Sequence, residues 1–300
     1  MKQFYKPKSN KTISAKWASM VPYYVLLLPF LLFYIVFMII PIFSSVALSF
    51  TDFNMVSLPH FVGANNYIRM FTEDPVFMTA LKNTIIFAIV IGPVGYILSF
   101  VMAWLINETP KSIRSILTLI VYSPVLSGNI YFIWQYIFSS DSRGFLNNFL
   151  IQLGILRDPI SWLSDTKYNF TVCIIVALWM NFGSGFLSLD PSYYEAAAID
   201  GLKNRWQEMF YVTFPQMGPQ LLFGAVMSIS SAFAVGSVNA ALTGNPSTNY
   251  STHTILLHMT DYGSVRFEMG YASALAVVLF AIMLLSWLLI NKLLSRYSAE

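Results

Sequence analysis

Residues 188–210 read SLDPSYYEAAAIDGLKNRWQEMF and carry six charged side chains, Asp190, Glu195, Asp200, Lys203, Arg205 and Glu208, in a chain that is only 10% charged. Long apolar runs flank this stretch on both sides. An apolar run in lipid must satisfy its backbone within itself, which a helix does. A polar insert with helix signals of its own, set between two such runs, decides the fold. The chain crosses a membrane repeatedly, and the insert stands outside the lipid. Composition agrees: 56% of the residues are hydrophobic and the mean hydropathy is +0.62, whereas a soluble domain is about a quarter charged.

The insert has a legible internal structure. Asp190 is a good N-cap with Pro191 at the first helical position. Ser192 and Glu195 form an alternative start, an S-x-x-E capping box. Glu195 sits early, where the helix dipole favours an anion, and Ala196, Ala197 and Ala198 follow as strong helix formers. Gly201 supplies a stop. A second amphipathic piece, 204–212, is expected to end before Pro215. The insert is therefore read as helix, glycine elbow, helix. It serves either as an interfacial connection between two spans or as a docking element for a partner.

Six stretches are long and apolar enough, or nearly so, to cross a bilayer core of about 30 Å: 22–48, 84–106, 116–138, 170–189, 219–242 and 270–290, none with Asp, Glu, Lys or Arg. The fold class is thus an all-α polytopic membrane protein with six transmembrane helices. It comprises a basic tail at 1–21, one membrane domain at 22–295, and the insert at 190–215 between spans 4 and 5. An even span number puts both termini on one side, and the Lys/Arg distribution chooses the side. Lys2, Lys6, Lys8, Lys11, Lys16, Lys111, Arg114, Lys203, Arg205, Lys292 and Arg296 fall with the termini and the insert. Arg69, Lys82, Arg143, Arg157, Lys167 and Arg266 fall opposite. Termini and insert are expected in the cytoplasm. The opposite segments, 49–83, 139–169 and 243–269, are expected to form short interfacial helices, as in GFLNNFLIQLGIL at 144–156.

Several chemistries find no residues. The spans lack the ionisable groups expected of proton or ion coupling. No GxxxxGK[ST] loop, HExxH or paired CxxC occurs, so neither a self-contained ATPase nor a metal site is read here. Cys173 lies alone in an apolar run, and His60, His253 and His258 all fall outside the spans. No catalytic constellation is present, and the chain is read as a non-enzyme. The neutral polar residues of the spans remain. YSPVLSGNIYFIWQY at 122–136 holds Pro124, Gly128 and Trp134, and MSISSAFAVGSVNAAL at 227–242 places Ser228, Ser231, Val235 and Asn239 on one helical face. Asn181 interrupts the fourth span in NFGSG. Two readings stay open for these groups: helix packing glued by hydroxyls, or the lining of a hydrophilic path. Asn181, Asn239, Ser231 and Trp134 are the path candidates.

The sequence EAAAIDG at 195–201 resembles the E-A-A-x3-G loop of binding-protein-dependent ABC importer permeases. FVGANNY (61–67), NT (83–84), Trp134, GFLNNFL (144–150), WLSD (162–165) and MGYASALAVVL (269–279) extend the likeness over about residues 22–295. It is similar to the carbohydrate branch, and within it to the maltose-type first permease subunit. The resemblance implies a bacterial cytoplasmic-membrane subunit that imports a carbohydrate, an oligosaccharide, by alternating access. Its partners would be a second homologous permease, two cytoplasmic ATPases that hold ATP and Mg2+, and an extracellular sugar-binding protein. This chain itself would carry no cofactor. Glu195, Ala196, Ala197 and Gly201, with Asp200 beside them, would dock an ATPase as a cytoplasmic coupling insert. One departure stands out. Between MNFGSGF and LDPSYYEAA the family carries about seven further residues, roughly 10 Å of helical rise, where this chain has only Leu187 and Ser188. The shortened span keeps an alternative in view, a non-transporting membrane scaffold or assembly subunit.

Overall fold

The computed structural model describes residues 13–126, 131–181, 204–216 and 218–298. Within them every regular element is a helix, apart from one isolated bridge between Thr51 and Phe61. Helix α1 (Ile13–Tyr34) starts inside the expected basic tail and passes through a π turn, Ile35–Ile39, into α2 (Ile40–Leu48). The Ile40 N–H donates to Ile35 O, which widens the helix just before Pro41. Proline cannot donate and its ring crowds the preceding turn, so a wide turn accommodates it.

After α3 (Asn65–Thr72) comes the long helix α4 (Phe77–Asn107), which begins at Phe77 rather than at the expected residue 84. Asp74 Oδ1 accepts the Val76 and Phe77 N–H groups at 2.9 and 3.1 Å and so caps it upstream of its apolar part. Apolarity marks where a helix meets lipid, not where it starts. The third expected span is covered by α5 (Lys111–Leu126) and α6 (Tyr131–Ile137), with 127–130 outside the described residues. Helix α7 (Phe145–Gln152) lies in the 144–156 segment, and α8 (Asn169–Asn181) opens the fourth span. Residues 182–203, with Glu195, Ala196, Ala197, Asp200 and Gly201, lie outside the described residues.

The second arm of the insert starts at Asn204, whose Oδ1 accepts the Trp206 N–H at 3.1 Å. It does not stop before Pro215. It runs as α9 (Arg205–Glu208), a π turn Met209–Thr213, and α10 (Phe214–Gln216), so a wide turn again precedes the proline. The fifth span is two helices, α11 (Gly218–Ala232) and α12 (Gly236–Thr243), bent by 41°. The Ala234 N–H bonds Ser231 O in a tight turn at the break. The single face expected through Ser228, Ser231, Val235 and Asn239 is therefore interrupted: Ser231 is exposed, while Val235 and Asn239 are buried. Helix α13 (Ile255–Thr260) continues through a π turn, Asp261–Val265, and α14 (Met269–Ser298) closes the chain.

Three of these helices, over Pro22–Leu48, Phe77–Ile106 and Met269–Lys292, are long and apolar enough to span a membrane, and the bent pair α11–α12 makes a fourth. Their packing uses small residues. A Cβ on Gly92 of α4 would lie 2.8 Å from the Ile229 side chain and 3.1 Å from its Cα, and the Ser228 Oγ–H donates to Gly92 O at 3.1 Å. Close approach plus a hydroxyl bond is how helices adhere in lipid, where burial alone gives little. Tyr96 of α4 adds a bond from its Oη–H to Leu221 O, 2.8 Å. Phe87 of α4 stacks on Phe170 of α8 with ring centres 4.3 Å apart. Phe77, Phe87, Ile91, Val176, Tyr271 and Leu275 form the buried centre.

Candidate functional site: a helix junction, its polar cap and the elbow arm

Helices α6, α8 and α12 meet at one junction. Trp134 of α6 is half-buried, edge-on to Trp179 of α8 (centres 5.1 Å, 75°) and stacked on Phe138 (5.8 Å, 15°). Its indole Nε1 is buried and has no hydrogen-bond partner among the described residues. The neighbouring Gln135 Nε2 donates to Ala241 O of α12 at 2.6 Å, which fixes α6 against the bent span. Of the four path candidates, Trp134 stands in this junction, and Asn181 is the last residue of α8. Ser231 is exposed, with its Oγ–H returned to Ser228 O of its own helix. Asn239 is fully buried and its Nδ2 donates to Thr252 O at 2.8 Å, so in this structure it holds a loop.

That loop, 247–254, is gripped by asparagines from three helices. Asn83 of α4 donates to the carbonyls of Tyr250, Ser251 and His253 at 3.2, 3.0 and 2.9 Å. Asn169 of α8 donates to Ser251 Oγ at 2.7 Å, and Asn239 of α12 to Thr252 O. Thr84 Oγ1 accepts the Ile255 N–H at 2.9 Å and seats the start of α13. Loop polar groups buried among helix ends must find partners, and the NT pair at 83–84 supplies them: Asn83 as the donor, Thr84 as the acceptor. Asn83→Ala is expected to cost about 2–3 kcal/mol and to raise hydrogen exchange across 250–255 while leaving 139–168 unchanged. Exchange mass spectrometry checks this.

Beside the loop lies a buried polar file. His258 Nε2 and Tyr271 Oη contact Asp74 Oδ2 at 2.7 and 2.6 Å, and His253 Nε2 lies 3.2 Å from His258 Nδ1. Burial alone would raise the Asp74 carboxyl. The hydrogen bonds from His258 and Tyr271 outweigh it and hold the group well below the usual carboxylate range. Arg69 sits over the Tyr271 ring at 4.6 Å and pairs with Glu268, whose hydrogen bond raises the guanidinium further. The file joins the starts of α4 and α14 to α13.

The opposite end of α4 meets the insert. Trp206 of α9 packs on Trp104 (5.4 Å), and Phe214 of α10 stacks on Phe100 (5.2 Å, 17°). One helix thus touches the polar cap at its start and helices α9 and α10 at its end.

Sequence reasoning singled out Trp134 and Asn239 as polar groups of the spans. It passed over Trp179 and the Asp74–His258–His253 file. NT and GFLNNFL were visible as motifs, but their role as loop holders was not. Nothing in the sequence connects Asp74 to a histidine so far along the chain.

Comparisons with known proteins follow the same outline. Residues 95–298 match the family described as "Binding-protein-dependent transport system inner membrane component". The chain is 29% identical over 281 residues to the probable ABC transporter permease protein YesP of Bacillus subtilis (strain 168), covering 90% of this chain and 89% of that one. It is 31% identical over 202 residues to the lactose transport system permease protein LacF of Rhizobium radiobacter, covering 64% and 66%. It is 27% identical over 290 residues to the arabinooligosaccharides transport system permease protein AraP of Bacillus subtilis (strain 168), covering 92% and 90%. Its fold is similar to a chain of a bacterial alginate ABC transporter solved with an alginate pentasaccharide-bound periplasmic protein. There the TM-score is 0.79 at 22% identity, over 95% of this chain and 98% of that one.

Proposed function

The chain belongs to the family of binding-protein-dependent transport system inner membrane components, and from that premise we propose that it is a permease subunit of an ATP-driven importer of carbohydrate, an oligosaccharide, working by alternating access. Family membership carries the proposal, and relatives named for lactose and for arabinooligosaccharides support the substrate class. The subunit crosses the membrane six times with both termini in the cytoplasm. It pairs with a second homologous permease and receives substrate from an extracellular sugar-binding protein. Two cytoplasmic ATPases, which hold ATP and Mg2+, drive it.

In this reading Glu195, Ala196, Ala197, Asp200 and Gly201 dock an ATPase. Alanines leave a helix flank that a partner can approach closely, and Gly201 turns the chain without a Cβ penalty. ATPase closure displaces the elbow, and its second arm passes the displacement to α4 through the Trp206–Trp104 and Phe214–Phe100 contacts. At its other end α4 holds the cap through Asn83, Thr84 and Asp74. Movement of α4 is then felt at both faces of the membrane, as alternating access requires. In this reading Trp134, Asn181, Ser231 and Asn239 line the sugar path, with the Trp134–Trp179 pair as an aromatic wall suited to sugar faces.

The test is uptake and sugar-stimulated ATP hydrolysis by the reconstituted complex across a glycan panel. Glu195→Lys and Gly201→Asp are expected to weaken ATPase recruitment or to uncouple hydrolysis from uptake while the protein still inserts. Full uptake by both variants sinks the docking role. Trp206→Ala is expected to lower sugar imported per ATP hydrolysed several-fold, with Trp206→Phe restoring most of it. Stimulated hydrolysis without sugar accumulation by the wild type would return the scaffold reading.

A further inference from the structure

In the polar file at the cap, the protons have one consistent order. The Asp74 carboxylate can only accept, so the His258 Nε2–H and the Tyr271 Oη–H both donate to Oδ2. With one proton on each ring, His258 Nδ1 is then an acceptor, and His253 Nε2–H donates to it across 3.2 Å. That leaves His253 Nδ1 as a bare lone pair, buried and without a hydrogen-bond partner among the described residues. The His253 residue is 1% exposed and His258 2%. Every proton in the file points toward Asp74, and the far end is an unoccupied basic nitrogen.

We propose that His253 Nδ1 is a proton-binding site, and that filling it in acid releases the tie this file makes between α4, α13 and α14. A proton there creates a cationic N–H that is buried and has no acceptor, an arrangement that favours opening. The surrounding charges are mixed. Asp261 and Asp74 favour the cation, while His258 and Arg266 oppose it. Arg69 and Glu268 neutralise each other beside the file. The Tyr250 and Tyr262 rings pack edge-on to His253 and His258 and bring no charge. Burial is the largest influence and pushes His253 down to about 4.

A histidine whose folded value lies below its unfolded one stabilises the fold above the unfolded value. That contribution is lost as pH falls from 6.5 toward about 4. Asp74, held below its ordinary 3.8, keeps its own contribution until pH nears that value at the acid end of this window. The share of the loss that belongs to His253 is the part removed when that ring can no longer titrate.

Three histidines in the whole chain make the test direct. Ring-nitrogen NMR of the full chain in lipid nanodiscs, with His60→Gln to assign the exposed ring, reads tautomer and titration together. We expect a neutral His253 carrying its proton on Nε2 and titrating at about 4. In parallel, the wild-type melting temperature is expected to fall by roughly 5 °C between neutral pH and about pH 4.5. His253→Gln keeps an amide N–H toward His258 and cannot titrate, so it should lose less than half of that. Titration of His253 near its ordinary value of about 6.5, an Nδ1–H tautomer, or an unchanged acid-dependent fall in His253→Gln each overturns the proposal. If that variant does not fold, the wild-type tautomer and titration decide alone.

Discussion

Asn147→Ala is expected to lower the melting temperature by about 10 °C, while the same change at the adjacent Asn148 leaves it nearly unmoved. The two asparagines are neighbours in GFLNNFL, yet their surroundings differ completely. Asn147 is fully buried, and its Nδ2 donates to Ser139 O, Asp141 O and Ile160 O at 3.0, 3.3 and 3.0 Å. Its Oδ1 accepts the Ile160 N–H at 3.1 Å and the Trp162 Nε1–H at 2.8 Å. One side chain closes the whole excursion between α6 and α8 on itself. Alanine leaves the Ser139 and Ile160 carbonyls and two N–H groups without these partners, while Asp141 O keeps the Gly144 N–H. Each unpaired buried group costs about 1–3 kcal/mol and some will reach water, so a net loss of about 3–5 kcal/mol is expected. Asn148 is exposed, and its Oδ1 accepts from Gln152 Nε2 one helical turn on. Thermal unfolding of the purified variants, with limited proteolysis across 139–168, measures the difference. Equal melting temperatures for the two variants would show that Asn147 does not organise this segment.

Gly270→Ala is expected to be at least as damaging, for a steric reason. A Cβ at Gly270 would stand 2.0 Å from Thr51 O, 3.0 Å from Thr51 C and 3.2 Å from Phe53 N. All three are backbone atoms, so no rotamer change relieves the clash. The Gly270 N–H also donates to Phe53 O at 2.9 Å. Moving residues 51–53 away would break that bond and strain the two bonds from Asn66 Nδ2, to Ser49 O and Thr51 O at 2.9 and 2.8 Å. A cost of about 3 kcal/mol or more follows, with poor membrane accumulation as the cellular readout. Gly224→Ala is the comparison. Its added methyl meets the Tyr96 ring edge at 3.1 Å, a side chain that can shift. A melting temperature for Gly270→Ala equal to that of Gly224→Ala would overturn the argument.

These two positions show what kind of information the sequence carried. GFLNNFL and MGYASALAVVL were both recognisable as motifs of a permease family, and the family assignment rests on sequence that any reader can align by eye. What the motif residues do was not legible. Asn147 gathers groups from residues 139 to 162, and Gly270 admits a backbone segment more than two hundred positions earlier. Asn83 and Asp74 likewise act on partners near residues 250 and 258. Helix limits do not follow apolarity for a related reason. At Phe77 a capping carboxylate extends the helix past its apolar part, and at Ala232 a tight turn ends a helix inside an apolar run.

By itself the sequence determined the class: apolar runs in lipid become helices, which satisfy their backbone within themselves, and a polar insert with helix signals of its own is expected outside the lipid. Composition and local signals settle such questions because the forces involved act on each segment alone. Only the tertiary structure decided which partners the polar groups take. Asn239 has its amide on Thr252 O, and two separated histidines line up behind Asp74. The reason is physical. A buried polar group takes its role from whichever partner the fold brings within about 3 Å, and that partner is set by packing between helices, not by neighbours in the chain.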